Sequence, residues 1–375
     1  MMSRSLGMRD YDTVSSSSAF GFYCCLLGGF LISLFCTVFA DPLMTLLGAD
    51  DATRDATFGY MFWTVSCGAM PAILNVVMAY MFRSEGSALH ASIGTMSGCI
   101  LNMILDPIFI LPWGFHMGAA GAGLATFLSN CVACGYFFVL LYVKRKSTYV
   151  CINPKKLKFT KEIILGVCGV GVPASIQNLL NVTGMTILNN FTSAYGADAV
   201  AAMGISYKIY MVPMQVAMGF SQGIMPLVSY TYAGQFHKRM KKTILFALKT
   251  MLPLLIFVAV CYYAGAGLLI RSFMNNETII AYGTRFLRGF CLGIPLLCLD
   301  FVTVGVFQSL GLGRNALIFA IMRKIVLEIP ALILYNKLFP LYGLVFAQPT
   351  AELVLGIAAV FMLRRIFKRC QGTQE

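Results

Sequence analysis

Charge is what this chain has least of. Charged residues make up 11% of it, against roughly 25% in soluble domains. So few cannot furnish a soluble surface. With 58% hydrophobic residues and a mean hydropathy of +0.78 over 375 residues, the apolar excess is also too large to hide in one interior, so lipid must cover much of it. Histidine occurs three times, and His90, His116 and His237 lie too far apart for metal-ligand spacing. No nucleophile–base constellation, metal motif or phosphate-binding loop appears, which argues against an enzyme. Cysteine is not scarce, at thirteen, but Cys24, Cys25, Cys99, Cys168 and Cys261 sit in apolar runs. Cys131 and Cys134 have CxxC spacing without a second pair or a nearby histidine, and read as small-residue packing.

Negative charge is the scarcer sign, with 15 Asp and Glu against 28 Lys and Arg. In a membrane protein such an excess marks cytoplasmic loops before it marks nucleic-acid binding. A membrane span needs about 20 mostly apolar residues, and ten runs qualify: 19–40, 57–80, 89–112, 118–143, 163–190, 199–222, 243–270, 278–308, 315–337 and 342–363. The first is longer than the apolar core of a signal peptide and reads as a retained helix. Lys144, Arg145, Lys146, Lys155, Lys156, Lys158 and Lys161 join the fourth and fifth runs. Lys238, Arg239, Lys241 and Lys242 join the sixth and seventh, and Arg364, Arg365, Lys368 and Arg369 form the tail. Arg83 and Arg314 fall on the same side. The opposite loops hold Arg54, Arg271 and Lys337 with Asp50, Asp51, Asp55 and Glu277. The expected topology is multi-pass in the plasma (inner) membrane, with both termini cytoplasmic.

The chain repeats itself at an offset of 225 residues. Phe82-Arg83-Ser84-Glu85-Gly86 matches Phe307-Gln308-Ser309-Leu310-Gly311, and the same offset pairs Gly68 with Gly293, Ala91 with Ala316, Ile93 with Ile318, Ile108 with Ile333 and Gly118 with Gly343. The expected fold is an all-α polytopic membrane protein of two pseudo-symmetric helical lobes in parallel repeat. Residues 1–150 form a lobe of four helices and 151–375 a lobe of six. Parallel repeats are common in transporters, which keep the substrate site near the midplane between them. Ser229 corresponds roughly to Ser3, one residue off the offset of 225, so two further helices are expected before Met1.

Leu101-Asn102-Met103-Ile104-Leu105-Asp106-Pro107-Ile108-Phe109-Ile110, then Gly118-Ala119-Ala120-Gly121-Ala122 and Ala125-Thr126, resemble the multidrug and toxic compound extrusion (MATE) family, closest to its DinF-like branch. Gly171-Val172-Pro173, Tyr195-Gly196-Ala197, and Gly219 to Ser229-Tyr230 with Tyr232-Ala233-Gly234 extend the resemblance over nearly the whole chain. It implies a twelve-helix fold, of which this chain matches helices three to twelve. It also implies a secondary antiporter expelling small organic, often cationic, compounds in exchange for protons or sodium, a monomer among lipid with no cofactor and no nucleic-acid partner. Two other readings stand beside it: a lipid-linked glycan flippase of the same superfamily, which calls for a more cationic cavity, and a non-transporting remnant, inactive because its first lobe is incomplete.

Ionisable residues inside a membrane are costly and are functional candidates by default. Lys208, Asp300, Arg323, Glu328 and Glu352 lie well inside their spans. At 1.5 Å per residue Asp300, Lys208 and Glu352 fall near mid-depth. The repeat pairs Asp300 with Asn75, and a carboxylate at that depth can exchange a proton, as coupling to a proton gradient requires. Arg323 and Glu352, on consecutive helices, can pair, which is equally a structural bridge. Asn102 and Asp106 share a helix face, though Asp106-Pro107 also reads as a helix end. The family resemblance implies that Asn102, Asp106 and Thr126 join an aspartate of the first helix, absent here, in a cation site. Gln177, Asn178 and Asn181 form a polar face, for helix packing or as a substrate wall. Met203, Met211, Met214 and Met218 suit an adaptable apolar lining or plain packing.

Overall fold

The structure, a computed structural model, describes residues 1–46, 53–112 and 114–371, and within them all regular secondary structure is helical. The loop aspartates Asp50 and Asp51 and the side chain of Arg369 lie outside the described residues. We number ten long helical segments. They are α1 (Tyr11–Val38), α2 (Arg54–Met61, Phe62–Ser66 and Ala69–Ser84), α3 (Ala88–Ile110), α4 (Gly118–Val143), α5 (Lys161–Ser193), α6 (Ala197–Ala233) and α7 (His237–Arg271). Then follow α8 (Glu277–Cys291, Ile294–Leu296 and Leu297–Ser309), α9 (Gly313–Ile321, Met322–Glu328 and Ile329–Leu338) and α10 (Tyr342–Phe346 and Ala347–Gln371). Met2–Gly7 and Ala40–Leu46 are short helices.

Seven of these segments are long and apolar enough to cross a membrane, and eight when the two halves of α2, bent by 43°, count as one. The other two of the ten runs read from the sequence, α6 and α9, are helices of spanning length that fall short in apolarity. Pro213, Gln215, Gln222, Pro226 and Lys208 dilute α6, and α9 carries Arg314, Arg323, Lys324, Glu328 and Lys337. A helix enclosed by other helices need not be apolar all round, because protein and not lipid meets its polar face.

The chain divides into two compact units, Met1–Ile164 and Leu165–Glu375. In the first, Met78, Phe82, Ala91 and Phe137 are fully enclosed. Small residues draw α3 onto α4: a Cβ on Gly98 would lie 3.0 Å from that of Ala133. The segment after α4 folds back onto this unit. Tyr23 donates to the Ile152 carbonyl (2.8 Å), the Cys151 amide donates to Ser18 Oγ (3.1 Å), and Glu85 accepts from Thr148 Oγ1 (2.8 Å) and the Tyr149 amide (2.9 Å). These bonds tie residues 148–152 to α1 and to the end of α2.

In the second unit α8 is the enclosed helix: 78% of its apolar stretch is buried, against 6% for α5. Phe286, Leu287, Phe290, Ile294, Leu297 and Val302 of α8 pack with Met203 and Tyr210 of α6 and with Met251 and Leu255 of α7. Ser206 and Ser221 of α6 donate to the carbonyls of Gly283 (3.1 Å) and Phe301 (2.7 Å) on α8.

The repeat has backbone counterparts. The four left-handed residues outside glycine among those described fall in two pairs, His116 with Leu341 (φ 53° and 66°) at the offset of 225 and Arg9 with Gln235 (61° and 62°) one residue off it. Gly86 and Gly311 are left-handed in both copies, at 95° and 77°. Ser3 donates to the Ser84 carbonyl at 2.8 Å and Ser229 to that of Ser309 at 2.9 Å. α2 bends beside Gly68, and α8 breaks beside Gly293. The equivalent helix is thus interrupted at the equivalent glycine.

Candidate functional site

The charged residues of α9 sit in its middle turn, Met322–Glu328, which is a π-helix. A π turn takes in one residue more than an α turn and recurs at functional sites. Here the consecutive residues Arg323 and Lys324 are both buried, and Glu328 is buried with them. Arg323 donates from one terminal nitrogen to Asp300 Oδ2 of α8 at 2.6 Å, and its other terminal nitrogen lies 2.7 Å from Glu352 Oε1 of α10. One guanidinium therefore bridges two carboxylates on two different helices. Asp300 is 1% exposed and Glu352 fully enclosed. The ring of Phe301 lies 5.9 Å from the guanidinium carbon. Lys324 is paired on its own helix, 2.7 Å from Glu328 four residues on.

The cluster holds three carboxylates and two cations, a formal charge of −1 when all are ionised. Asp300 Oδ1, Glu352 Oε2 and Arg323 Nε have no hydrogen-bond partner among the described residues. Buried charges are ordinarily paired and hydrogen-bonded. Uncommitted carboxylate oxygens beside an uncompensated charge are what a proton or a small cation would satisfy. Close by on α10 and α6, the Gln348 amide donates to Tyr210 Oη at 2.8 Å, both residues buried.

The first unit carries a neutral counterpart. Asn75, at the position matching Asp300, is buried and donates to Asn130 Oδ1 at 3.1 Å. The Asn130 amide donates in turn to the Thr126 carbonyl at 3.0 Å. Asn102 Nδ2 lies 3.3 Å from Asp106 Oδ1 and 3.5 Å from Thr126 Oγ1. Asp106 and Pro107 remain within α3, which runs on to Ile110, so the reading of Asp106-Pro107 as a helix end is corrected. The three residues singled out by resemblance thus meet, and Asn130 joins them to Asn75. Where the second unit has Arg323, the repeat puts Gly98 in the first, so the ionic cluster has no equivalent there.

Gln177 accepts from Gln308 Nε2 at 3.4 Å, within the second unit, while Asn178 is exposed and Asn181 half-buried. Lys208 does not join the cluster. Its side chain is exposed, with no ion pair among the described residues; depth along α6 was readable from the sequence, but not the face the side chain takes. Asp300 pairs with Arg323 in addition to the anticipated Glu352. Lys324 and Asn130 escaped the sequence reading. A basic residue four positions before Glu328 was the available signal for the first, and the i, i+4 spacing of Thr126 and Asn130 for the second. Among the described residues no group of three or more His, Cys, Asp or Glu is placed to hold a metal ion.

Comparison with known proteins adds a family. The MatE family model matches residues 1–108 and 173–334. The multidrug export protein MepA of Staphylococcus saprophyticus is 33% identical over 97% of this chain and 80% of its own length. Among solved structures, a MOP superfamily transporter from Pyrococcus furiosus aligns with a TM-score of 0.92 at 24% identity, covering 99% of this chain and 82% of its own. The Vibrio cholerae MATE transporter VcmN aligns with a TM-score of 0.90 at 19% identity, covering 98% and 83%.

Proposed function

Because the chain belongs to the MatE family, we propose that it is a secondary antiporter that exports small organic cations in exchange for protons or sodium. The multidrug export named for its MepA relative supports the substrate class. The observation that carries the coupling is the buried cluster: Arg323 between Asp300 and Glu352, with an excess of one negative charge and carboxylate oxygens left over. A proton or a sodium ion on that cluster makes it neutral, and its loss restores the charge. Asn102, Asp106 and Thr126 form a second polar group able to take part in cation binding. The basic loops 144–161 and 238–242 and the basic tail support, by the positive-inside rule, a topology with both termini in the cytoplasm.

The test uses the full chain reconstituted in liposomes, with ethidium transport driven by an imposed pH gradient or sodium gradient. One gradient is expected to drive transport, and Asp300→Asn to abolish the gradient-dependent part while leaving expression unchanged. Undiminished gradient-driven transport in Asp300→Asn would sink this assignment of the coupling site.

A further inference from the structure

Away from the ionic cluster, the second unit has a cavity of about 320 Å³ lined by Tyr263 of α7, Arg285, Arg288 and Leu292 of α8, and Tyr342 and Phe346 of α10. Arg285 and Arg288, three apart, share one helix face and are both exposed. Each guanidinium lies against a tyrosine ring, Arg285 over Tyr342 at 4.9 Å and Arg288 over Tyr263 at 5.3 Å. Arg288 Nε also donates to the Tyr263 carbonyl at 3.3 Å. Stacking and this bond hold the guanidinium planes in place, and the remaining N–H groups stay available. Among the described residues no carboxylate lines the cavity, so none of them answers the two positive charges there.

The depth is informative. α7 has 35 residues, about 52 Å at 1.5 Å per residue. The hydrocarbon core is about 30 Å thick, so a centred α7 extends roughly 11 Å beyond it at either end. Tyr263 is eight residues before Arg271, about 12 Å from that end. The cavity therefore lies at the boundary between hydrocarbon and headgroups, on the face opposite the basic loop 238–242. Toward the membrane interior on α7, Val260 and Phe257 are 62% and 67% exposed. An apolar track leads from the cavity along the lipid-facing surface.

We propose that this cavity binds the phosphodiester of an anionic membrane lipid, with Arg285 and Arg288 donating to its oxygens and an acyl chain lying along Val260 and Phe257. The planar guanidinium presents paired N–H donors that match phosphate oxygens. The phosphate of a bilayer lipid also sits at this level. A zwitterionic lipid brings a cation of its own next to the arginines, so the preference is for net negative headgroups.

The experiment reads lipid selectivity by fluorescence quenching. A Phe257→Trp reporter is introduced in a Trp63→Phe, Trp113→Phe background, and the full chain is reconstituted in vesicles of brominated phosphatidylglycerol or brominated phosphatidylcholine. The expected result is preferential quenching by phosphatidylglycerol, about five-fold per arginine in relative affinity. Arg285→Gln with Arg288→Gln should remove that preference, and Arg285→Gln alone should remove part of it. Each variant is compared with its own phosphatidylcholine value, so a change in reporter depth cancels. Equal quenching by the two lipids in the parent, or a preference surviving in the double variant, overturns the proposal. So does loss of the preference in excess inorganic phosphate at constant ionic strength, which would mark a site for free phosphate.

Discussion

Gly184 on α5 gives Lys324 on α9 its place: a methyl group on Gly184 would lie 3.0 Å from the Lys324 ammonium and 3.2 Å from its Cδ. The lysine is thus confined between α5 on one side and Glu328 on the other. Gly184→Ala asks for a shift of a few tenths of an ångström and is expected to be nearly silent. Gly184→Leu is expected to push the ammonium off Glu328 and to cost about 1–3 kcal/mol, as overpacking of a filled interior does. Thermal unfolding in detergent distinguishes the two, and equal midpoints would show that Lys324 is not held there.

Arg323 neutralises two carboxylates, so its removal should be more damaging than removal of either partner. Arg323→Gln leaves Asp300 and Glu352 facing each other without a cation, at a cost of about 3–5 kcal/mol. Glu352→Gln takes away the charge in excess and keeps the Arg323–Asp300 bridge, so it should cost far less. Folded yield and melting temperature check the order; Glu352→Gln falling below Arg323→Gln would contradict it.

Tyr210 and Gln348 form a buried pair in which each is the other's partner. Tyr210→Phe strands the Gln348 amide and should destabilise the protein by about 1–3 kcal/mol. Adding Gln348→Leu should recover part of the loss, since both polar groups are then gone. A double variant at the simple sum of the single effects would mean that the bond carries no coupling.

In the first unit, Asn75→Ala and Asn130→Ala should be coupled by about 0.6 kcal/mol, the mean for hydrogen bonds between membrane helices. A double-mutant cycle on unfolding measures this, and strict additivity would dissolve the proposed chain from Asn102 to Asn75.

Much of this was legible in the residues. Helices, their order and the repeat follow from apolar run length and from motifs such as Phe82–Gly86 and Phe307–Gly311. The repeat is now visible in backbone torsions, at Gly86 with Gly311 and His116 with Leu341. The site was legible only in part. Sequence position fixes how deep a side chain lies along a helix, so Asp300 and Glu352 stood out. It does not fix which way the side chain faces, and Lys208, at a similar depth, is exposed and stands apart from the cluster. The π turn of α9 is the second reason. A regular helix would turn the neighbours Arg323 and Lys324 about 100° apart, and nothing in Met322–Glu328 announces the wider turn that accompanies the burial of both. Arg285 and Arg288 were hidden differently, inside a run whose other residues are apolar enough to read as one span.

Sidedness gives a further expectation. Single cysteines replacing Lys155 and Lys337, in an otherwise cysteine-free chain, should react with an impermeant maleimide from opposite sides of the membrane. Labelling of both from the same side would refute the topology drawn from the basic loops.

The ion pair of Lys324 with Glu328 lies within a single helix, whereas Arg323 depends on acids from α8 and α10. During biogenesis α8 leaves the ribosome before α9, and α10 after it. When α9 enters the bilayer, Lys324 carries its counter-charge along and Asp300 is already there to receive Arg323, but Glu352 has yet to be made. A charged residue left unanswered at the centre of an inserting helix costs about 2.5–3.5 kcal/mol, so the integration of α9 should depend on α8 being there to receive Arg323. Nascent chains in which Asp300 of α8 is replaced by leucine would then hold α9 less securely in the membrane than the parent, and α10, arriving after both, would bring Glu352 to a guanidinium already in place.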